Sequence, residues 1–188
     1  MKHLGTVRLE TQRLVLRRFC IDDAGAMFNN WASNSDVTEF LSWNAHKSQE
    51  DTKELLEIWA GMYDEKSYYN WAIELKKTGE PIGSVGVVEK NDDIGMIHTG
   101  YCIGKQWWGM GIVTEAYKEL IRFFFEQVDV RRIEAWHAPE NPGSGKVMQK
   151  CGMQYEGTLR KAAKCNRGIT DMCMYSILAE DYFSWKIG

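Results

Sequence analysis

The chain has 188 residues, 44% of them hydrophobic and 26% charged, which is ordinary for a globular protein and predicts one domain over residues 1–188. Its net charge of −3 gives no electrostatic basis for direct binding to nucleic acid, and no apolar run approaches the ~18 residues of a membrane span. The five cysteines, odd in number and without a Cys-x-x-Cys pair, indicate reduced thiols in a cytoplasmic protein, and neither they nor the histidines have the spacing of a metal site.

The chain opens on a predicted strand and a short helix. Residues 14–19 read as the strand because Leu14 and Leu16 alternate with other residues. Asp22-Asp23 can cap a short helix that ends near Trp31. The segment that follows, residues 33–47, reads as irregular.

A longer helix is predicted to begin at Ser48. Asp51 takes its third position, where an acidic side chain completes a capping box with the serine. The helix has an apolar stripe that we expect to pack into the core. Its members are Leu55, Ile58, Trp59 and Met62.

Three strands with short turns follow, at residues 69–75, 82–89 and 96–103. The loop at residues 76–81 joins the first two, and Asn91-Asp92-Asp93 turns the second into the third. Strands joined this closely form an antiparallel meander.

A helix over residues 112–128 then crosses over to a strand at residues 131–137. Such a crossover makes the strands that it joins parallel, with a right-handed connection. A short helix at residues 144–150 and two closing strands at residues 153–160 and 171–178 complete the chain. The predicted fold class is therefore a mixed α/β (α+β) sheet, in which an antiparallel meander precedes a βαβ unit.

A turn containing Gly109 and Gly111 lies between the strand 96–103 and the helix 112–128. The first N–H groups of a helix have no partner within it and attract anions such as phosphate. Glycines let the backbone adopt unusual φ angles and come close to such a ligand, although they could also serve only to turn the chain. One face of the helix is predicted to be buried, and its residues are Val113, Ala116, Tyr117, Leu120, Ile121 and Phe124.

Two familiar phosphate loops do not match this turn. The dinucleotide fingerprint needs a third glycine where Thr114 stands, and the nucleoside-triphosphate loop needs serine or threonine where Gln106 follows Gly104-Lys105. The turn resembles another signature, the Gln/Arg-x-x-Gly-x-Gly/Ala loop of the GNAT acyltransferases, in the residues Gln106, Trp107, Trp108, Gly109, Met110 and Gly111.

Two further segments resemble the same superfamily. The downstream segment, which is similar to Asn-Pro-x-Ser…Val…Lys-x-Gly-Phe, consists of Asn141-Pro142-Gly143-Ser144, Val147 and Lys150-Cys151-Gly152-Met153. The opening, residues 9–17, is similar to the start of the RimJ/RimL branch, which contains ribosomal-protein N-terminal acetyltransferases. The three motifs occur in the family's order and span nearly the whole chain.

The resemblance implies the GNAT fold, in which the parallel strand pair splays apart and holds acetyl-CoA, the cosubstrate, in the gap. Tyr101, Cys102 and Ile103 would pair with its pantetheine arm through their backbone. Asn141 and Ser144 would contact it from the other wall. The pyrophosphate would lie on the loop and on the first turn of the helix, at Gln106, Trp107, Trp108, Gly109, Met110, Gly111, Ile112, Val113 and Thr114.

The implied reaction is the attack of an amine on a thioester, for which the amine must be neutral. An α-amine with a pKa near 8 is about one-tenth neutral at pH 7, whereas a lysine amine near 10.4 is neutral at about four parts in ten thousand. The difference is roughly 3 kcal/mol. An α-amine therefore tolerates a weaker base than a lysine or a polyamine does.

His98 stands where many relatives carry a glutamate, in His98-Thr99-Gly100-Tyr101. A pKa of about 6.5 would make it a competent base at neutral pH, although it could be an ordinary histidine on a strand face. Glu74 is the alternative base, and its other interpretation is a solvated carboxylate on a strand.

The departing thiolate needs a proton, and the tyrosine that many superfamily members use is replaced here by Met148. In the RimJ/RimL branch the serine of Asn-Pro-x-Ser is the proposed donor, which corresponds to Ser144. A helix N-cap is the alternative role of Ser144, and the two roles are compatible. Cys102 is better interpreted as a buried structural thiol than as a nucleophile.

Three hypotheses follow for function. The first is acetylation of the α-amine of a protein or peptide, and the second is acetylation of a small amine such as an antibiotic or a polyamine. The third is a non-catalytic module that binds acyl-CoA. Aromatic residues in the presumed acceptor region could line a pocket or fill the core, and we favour the core for most of Trp31, Phe40, Trp43 and Trp59. The acyl length stays open, and a homodimer is possible.

Overall fold

The computed structural model describes the backbone of residues 1–187 and the side chains of residues 1–184. Its frame is an eight-stranded sheet in the order β1-β2-β3-β4-β5-β6-β8-β7. Only β5 and β6 pair in parallel among the neighbouring strands of this sheet, as the crossover predicts. The strands are β1 (Leu9–Glu10), β2 (Leu14–Arg17), β3 (Asn70–Leu75), β4 (Glu80–Asn91), β5 (Met96–Ile103), β6 (Arg132–His137), β7 (Gln154–Cys165) and β8 (Gly168–Leu178).

The helices lie between these strands and after them. They are α1 (Ala24–Met27), α2 (Ser35–Thr38), α3 (Gln49–Met62), α4 (Ile112–Phe123), α5 (Pro142–Lys150) and α6 (Ala179–Ile187). A 3₁₀ turn precedes α1, and π-helical turns extend α1 and α4 as far as Ala32 and Val128. Over the described residues, no helix combines the length and the apolar character that a membrane crossing requires.

The larger hydrophobic core lies between α4 and one face of the sheet. All six residues of the predicted apolar face of α4 are buried, which confirms that prediction. Four aromatic rings fill the centre of this layer with centroid separations of 5.0–6.2 Å. They belong to Tyr69, Trp71, Phe123 and Phe124. This packing holds α4, and with it the glycine turn, against the meander.

A second core cluster lies on the other face of the sheet, beneath α1 and α3. Trp31 is fully buried there, whereas Trp43 and Trp59 are partly buried against the cluster. Phe40 instead lines a cavity, so the core interpretation holds for three of the four aromatics.

The predicted capping box of α3 is present, and its predicted stripe is half right, because Leu55 and Trp59 pack against the second core cluster. Ile58 and Met62 are 62% and 43% exposed, whereas the buried line runs through Thr52 and Leu56 to Tyr63 after the helix end. The line begins with a polar residue because the Thr52 hydroxyl shares a 2.7 Å hydrogen bond with His46 Nδ1. A pattern of apolar residues alone does not reveal this line.

Two smaller expectations also change. Asp23 is the third residue of the 3₁₀ turn, and its carboxylate accepts the Cys20 N–H at 2.9 Å. The N-cap of the helical segment is therefore Cys20 and not one of the two aspartates. The closing strands extend to Cys165 and begin again at Gly168, well beyond the predicted ends. The added residues are mostly exposed apart from Cys165, and they lack the regular apolar alternation by which strands are recognised.

Candidate functional site

The parallel strands β5 and β6 part soon after they meet. They are in register only from Met96–Arg132 to His98–Glu134, and beyond His98 a gap opens between them. A splayed strand pair of this kind leaves backbone N–H and C=O groups available to a ligand. The structure therefore contains the wedge that the resemblance implies.

The backbone along the gap alternates in direction. The Gly104 N–H donates to the Ile82 carbonyl of β4 at 2.9 Å. Along an antiparallel ladder every second residue bonds the neighbouring strand in this way, and the residues between turn their backbone groups to the other side. The backbone of Cys102 is therefore turned towards β4, whereas that of Tyr101 and Ile103 points into the gap. The Ile103 carbonyl accepts the Trp108 indole N–H at 2.9 Å.

The glycine turn begins α4 in the conformation that its sequence predicts. Gly109 and Gly111 have φ angles of 76° and 72°, a left-handed region that other residues rarely adopt. The first hydrogen bond within the helix runs from the Glu115 N–H to the Gly111 carbonyl at 3.0 Å. The preceding N–H groups, which include those of Ile112 and Val113, are thus available to a phosphate.

A cavity of about 420 Å³ joins this turn to the gap. Most of the predicted coenzyme residues line it, whereas Gln106 and Met110 do not. The predicted base, His98, does not line it either. The predicted residues along its wall are Tyr101, Cys102, Ile103, Trp107, Trp108, Gly109, Gly111, Ile112, Val113, Thr114, Asn141 and Ser144. Two cations on α5 that no motif predicts, Lys146 and Lys150, also line the cavity and suit a phosphate ligand.

Ser144 lies on the other wall, as the third residue of α5, and not at the N-cap that was its alternative predicted role. Asn141 Oδ1 accepts the Ser144 N–H at 3.3 Å, so Asn141 is the N-cap of the helix. The Ser144 hydroxyl lies 3.0 Å from the Tyr101 hydroxyl, which also donates to the Ser144 carbonyl at 2.9 Å. Burial raises the pKa of Tyr101, so this phenol stays protonated. Tyr101 thus holds Ser144 in place through its side chain, a role that the motif does not reveal.

His98 lies where the wedge opens, opposite Glu134 in the last pair before the strands part. A β-bulge in β4 lies beside it, since the register shifts between Val87 and Glu89. His98 Nδ1 is 3.6 Å from Glu134 Oε1, which is too long for a hydrogen bond. Burial lowers the pKa of His98, and Glu134 opposes that shift only in part. The imidazole is therefore neutral at pH 7 and able to accept a proton.

Glu134 is shared with a neighbouring arginine. Arg132 Nε donates to Glu134 Oε2 at 2.9 Å, and its other nitrogens bond Glu156. Because Glu134 is also paired with Arg132, it stabilises a protonated His98 less than an unpaired carboxylate would.

The alternative base, Glu74, is engaged elsewhere. Arg17 Nε donates to its carboxylate, and the same guanidinium bonds Asp23 through its two terminal nitrogens. To accept a proton from an amine, Glu74 would have to give up part of its ion pair with Arg17.

The opening motif clamps the glycine turn. Glu115, in the first turn of α4, accepts the Thr11 hydroxyl at 2.6 Å and the Arg13 N–H and Nε at 2.9 and 2.6 Å. Arg13 Nη1 also donates to the Met110 carbonyl at 3.1 Å. Two motifs about 100 residues apart in sequence therefore form one unit at the phosphate loop.

Gly145 fits closely against His137. A Cβ atom at Gly145 would lie 2.5 Å from His137 Nε2. The imidazole is nearly buried, with Nδ1 2.8 Å from the Ala138 carbonyl and its ring 5.7 Å from that of Tyr175. The absence of a side chain at Gly145 therefore lets α5, with Ser144, lie close to β6.

Cys102 remains a structural thiol in this setting. Its side chain lies 3.3 Å from the Ser84 hydroxyl, and burial raises the pKa of the thiol. All five cysteines are free. Over the described residues, no group of three or more histidine, cysteine or acidic side chains has the geometry of a metal site.

Comparison with known proteins agrees with this architecture. The model of the acetyltransferase (GNAT) domain matches residues 13–154. "Uncharacterized N-acetyltransferase p20" of Bacillus licheniformis is 30% identical over 174 residues, which cover 93% of this chain and 97% of that protein. The [Ribosomal protein uS5]-alanine N-acetyltransferase of Escherichia coli (strain K12) is 27% identical over 173 residues, 80% of each chain.

A solved structure shares the fold. RimL, a ribosomal L7/L12 α-N-protein acetyltransferase in complex with coenzyme A, has a TM-score of 0.81 at 19% identity. The match covers 92% of this chain and 98% of that one. Taken with the wedge and the phosphate loop, these matches show that the chain belongs to the GNAT family of acetyltransferases and is an acetyl-CoA-dependent acyltransferase.

Proposed function

We propose that this enzyme acetylates the N-terminal α-amine of a protein or peptide. The observation that carries the proposal is His98, a partly buried neutral base where the wedge opens. Because burial lowers the pKa of His98, proton transfer to it from an α-ammonium with a pKa near 8 is uphill, and from a lysine near 10.4 it is uphill by about 2.4 pKa units more. The base therefore suits the more acidic amine.

The relatives support the same acceptor. The enzyme from Escherichia coli that matches 80% of this chain is named as acting on an alanine of ribosomal protein uS5. The opening of this chain also resembles the RimJ/RimL branch, and its threonine and arginine clamp the phosphate loop. A non-catalytic module is disfavoured because the relatives are N-acetyltransferases.

Acetyl-CoA supplies an activated acetyl thioester when bound. The backbone of Tyr101 and Ile103 would hold its pantetheine arm, and the N–H groups that begin α4 would hold its pyrophosphate. Lys146 and Lys150 add positive charge on the opposite wall. The chain therefore presents hydrogen-bonding groups to the arm and positive charge to the phosphates.

Two side chains would move protons. His98 would take the proton that the attacking amine loses, in its neutral form and with Glu134 nearby to stabilise the resulting charge. Ser144 would give a proton to the departing sulfur and regain one from water, while Tyr101 holds the serine in place through the hydrogen bond to its carbonyl.

Release of the coenzyme A thiol tests the proposed acceptor. The panel contains peptides with free N-termini, the same peptides with blocked N-termini, polyamines, aminoglycosides and free amino acids. We expect turnover on the free peptides alone. Turnover confined to a polyamine or an aminoglycoside would contradict the proposal and favour the small-amine hypothesis.

Replacing Ser144 with alanine is expected to lower kcat by about three- to tenfold. The loss is modest because a thiolate with a pKa near 8.5 is a tolerable leaving group even with water as the acid. The measurement is single-turnover kinetics at saturating acetyl-CoA, with Ser84→Ala on β4 as the control. An unchanged rate in Ser144→Ala would reduce this serine to a purely structural residue of the first turn.

A further inference from the structure

A row of ion pairs leads away from His98 across one face of the sheet. Arg132 and Glu134 stand two residues apart on β6, so their side chains point to the same face. Arg132 Nε donates to Glu134 Oε2 at 2.9 Å. Its two terminal nitrogens donate to the two oxygens of Glu156, at 2.8 and 2.5 Å. One guanidinium therefore holds two carboxylates, and each of its three nitrogens donates to one of them.

A β-bulge on the edge strand β7 brings Glu156 to this arginine. The register of β7 against β8 shifts between Tyr155 and Gly157, so Glu156 is the extra residue of the bulge, and a bulge can turn a side chain in a new direction. Its carboxylate accepts the Ser176 hydroxyl of β8 at 2.6 Å and reaches Arg132 on the far side of that strand. Arg132 lowers the pKa of Glu156 to about 2, so this carboxylate is charged at neutral pH. The guanidinium is thus fixed from the edge of the sheet.

His98 lies at the other end of the row. Glu134 Oε1 is 3.6 Å from His98 Nδ1, and a movement of about 0.8 Å would bring the two atoms to hydrogen-bond distance. The second oxygen of the same carboxylate is the one that Arg132 holds. The other charged group that faces the imidazole is Glu89 of β4, its partner across the antiparallel ladder, which is exposed and screened by water. Glu134 is therefore the near carboxylate, and Arg132 restrains it.

The distance between this carboxylate and the imidazole matters for proton transfer. A carboxylate hydrogen-bonded to a histidine favours its charged form, and a histidine that already carries the proton cannot take one from an amine. A carboxylate much further away would not stabilise the imidazolium that forms in the reaction. At 3.6 Å from His98 Nδ1, Glu134 lies between these two limits.

We infer that Arg132 is a positioning residue, which holds Glu134 away from His98 and so keeps the imidazole free to take the proton of the acceptor amine. Glu156 fixes the arginine in this role. Arg132 does not line the coenzyme cavity, and it acts on the base only through Glu134. The inference deepens the proposed function and rests on it for the use that is made of the neutral imidazole. The restraint on Glu134 is measured without coenzyme or acceptor.

The test is the titration of His98, followed by NMR of the imidazole C–H groups in the ligand-free protein. The chain has four histidines, and His98→Gln identifies the signal. Arg132→Gln releases Glu134 towards the imidazole, so we expect the midpoint of the titration to rise by about one pH unit. In Glu156→Gln the arginine loses one of its two carboxylates and pairs more fully with Glu134. The midpoint should then fall by about 0.3 pH unit.

The opposite signs of the two shifts distinguish positioning from a general loosening of the sheet. Loosening would admit water to the imidazole and raise the midpoint in both variants. Shifts of the same sign, or an unchanged midpoint in Arg132→Gln, would overturn the inference. Arg122→Gln is the matched control, because Arg122 also joins two carboxylates, Glu119 and Glu126, but lies on α4. Its midpoint for His98 should equal that of the wild type.

Arg132→Lys is the conservative variant, and it also serves if Arg132→Gln fails to fold. Lysine keeps the charge but lacks the planar fork that holds two carboxylates, so the midpoint should rise by less than in Arg132→Gln, and no rise would count against the inference. The acid limb of kcat is the second readout. On that limb Arg132→Gln should be about tenfold slower than the wild type, with equal rates near pH 8. A midpoint that rises while the acid limb stays in place would contradict His98 as the base and remove Arg132 from the reaction.

Discussion

His98→Gln is expected to lower kcat by about a hundredfold or more, because a positioned general base contributes about 10²- to 10⁴-fold. Glutamine keeps the polarity and much of the volume of histidine but cannot accept a proton at neutral pH. The measurement is kcat with a saturating peptide, together with the affinity for coenzyme A by calorimetry. That affinity should be unchanged, since His98 does not line the coenzyme cavity.

The pH dependence gives the same test a second readout. Burial lowers the pKa of His98, so the active neutral form predominates down to a pH below the usual 6.5 or so. In the wild type kcat should therefore fall on acidification only below that value, and His98→Gln should lose this acid limb. His3→Gln, which changes a histidine paired with Asp92, is the control. A wild-type rate in His98→Gln would make His98 an ordinary strand residue.

Gly145→Ala is expected to destabilise the protein by about 2–3 kcal/mol, in the range of overpacked core substitutions. The added Cβ would lie 2.5 Å from His137 Nε2, in a ring held by the Ala138 carbonyl and Tyr175. For a chain of this size the melting temperature should fall by about 4–12 °C. The start of α5 should also shift, which would weaken acetyl-CoA binding.

Gly143→Ala is the matched control for this substitution. A Cβ at Gly143 would lie 3.6 Å from Asn141 Oδ1, which is ordinary contact, so its melting temperature should equal or exceed that of the wild type. His137→Ala combined with Gly145→Ala should recover part of the loss, because the clash is removed. Equal stability of the Gly145→Ala and Gly143→Ala variants would refute the packing argument.

Local signals explain why the order of strands and helices can be predicted from the sequence. Turn residues such as Asn91-Asp92-Asp93 separate apolar stretches, and the Ser48–Asp51 capping box marks a helix start within four residues. The glycine turn is equally local, since its left-handed φ angles and the following helix start are properties of one short segment.

The remaining features depend on contacts between distant parts of the chain. Asn166 bonds carbonyls more than 120 residues away, and backbone carbonyls have no sequence signature. The link from Tyr101 to Ser144 and the fit of Gly145 on His137 require the strands to be in place first. Half of the stripe predicted on α3 was wrong for a related reason, since the buried line instead includes Thr52, whose hydroxyl is bonded to His46.

The structure supports the predicted roles of some site residues more than those of others. The glycine loop and Asn141 line one cavity with the splayed strand, as their motifs imply. His98 lies outside that cavity wall, at the point where the strands part, and its role stays a prediction. Gln106, which is exposed and does not line the cavity, is the motif residue with the least structural support.

The acetylated position on a peptide that carries one free α-amine and one internal lysine tests the central proposal most directly. The product is digested and its acetyl group located by mass spectrometry after reaction at pH 7. We predict acetylation at the α-amine alone, because His98 is too weak a base for a lysine whose pKa lies near 10.4. Acetylation at the lysine, with the α-amine left free, would contradict both the proposed acceptor and the role given to His98.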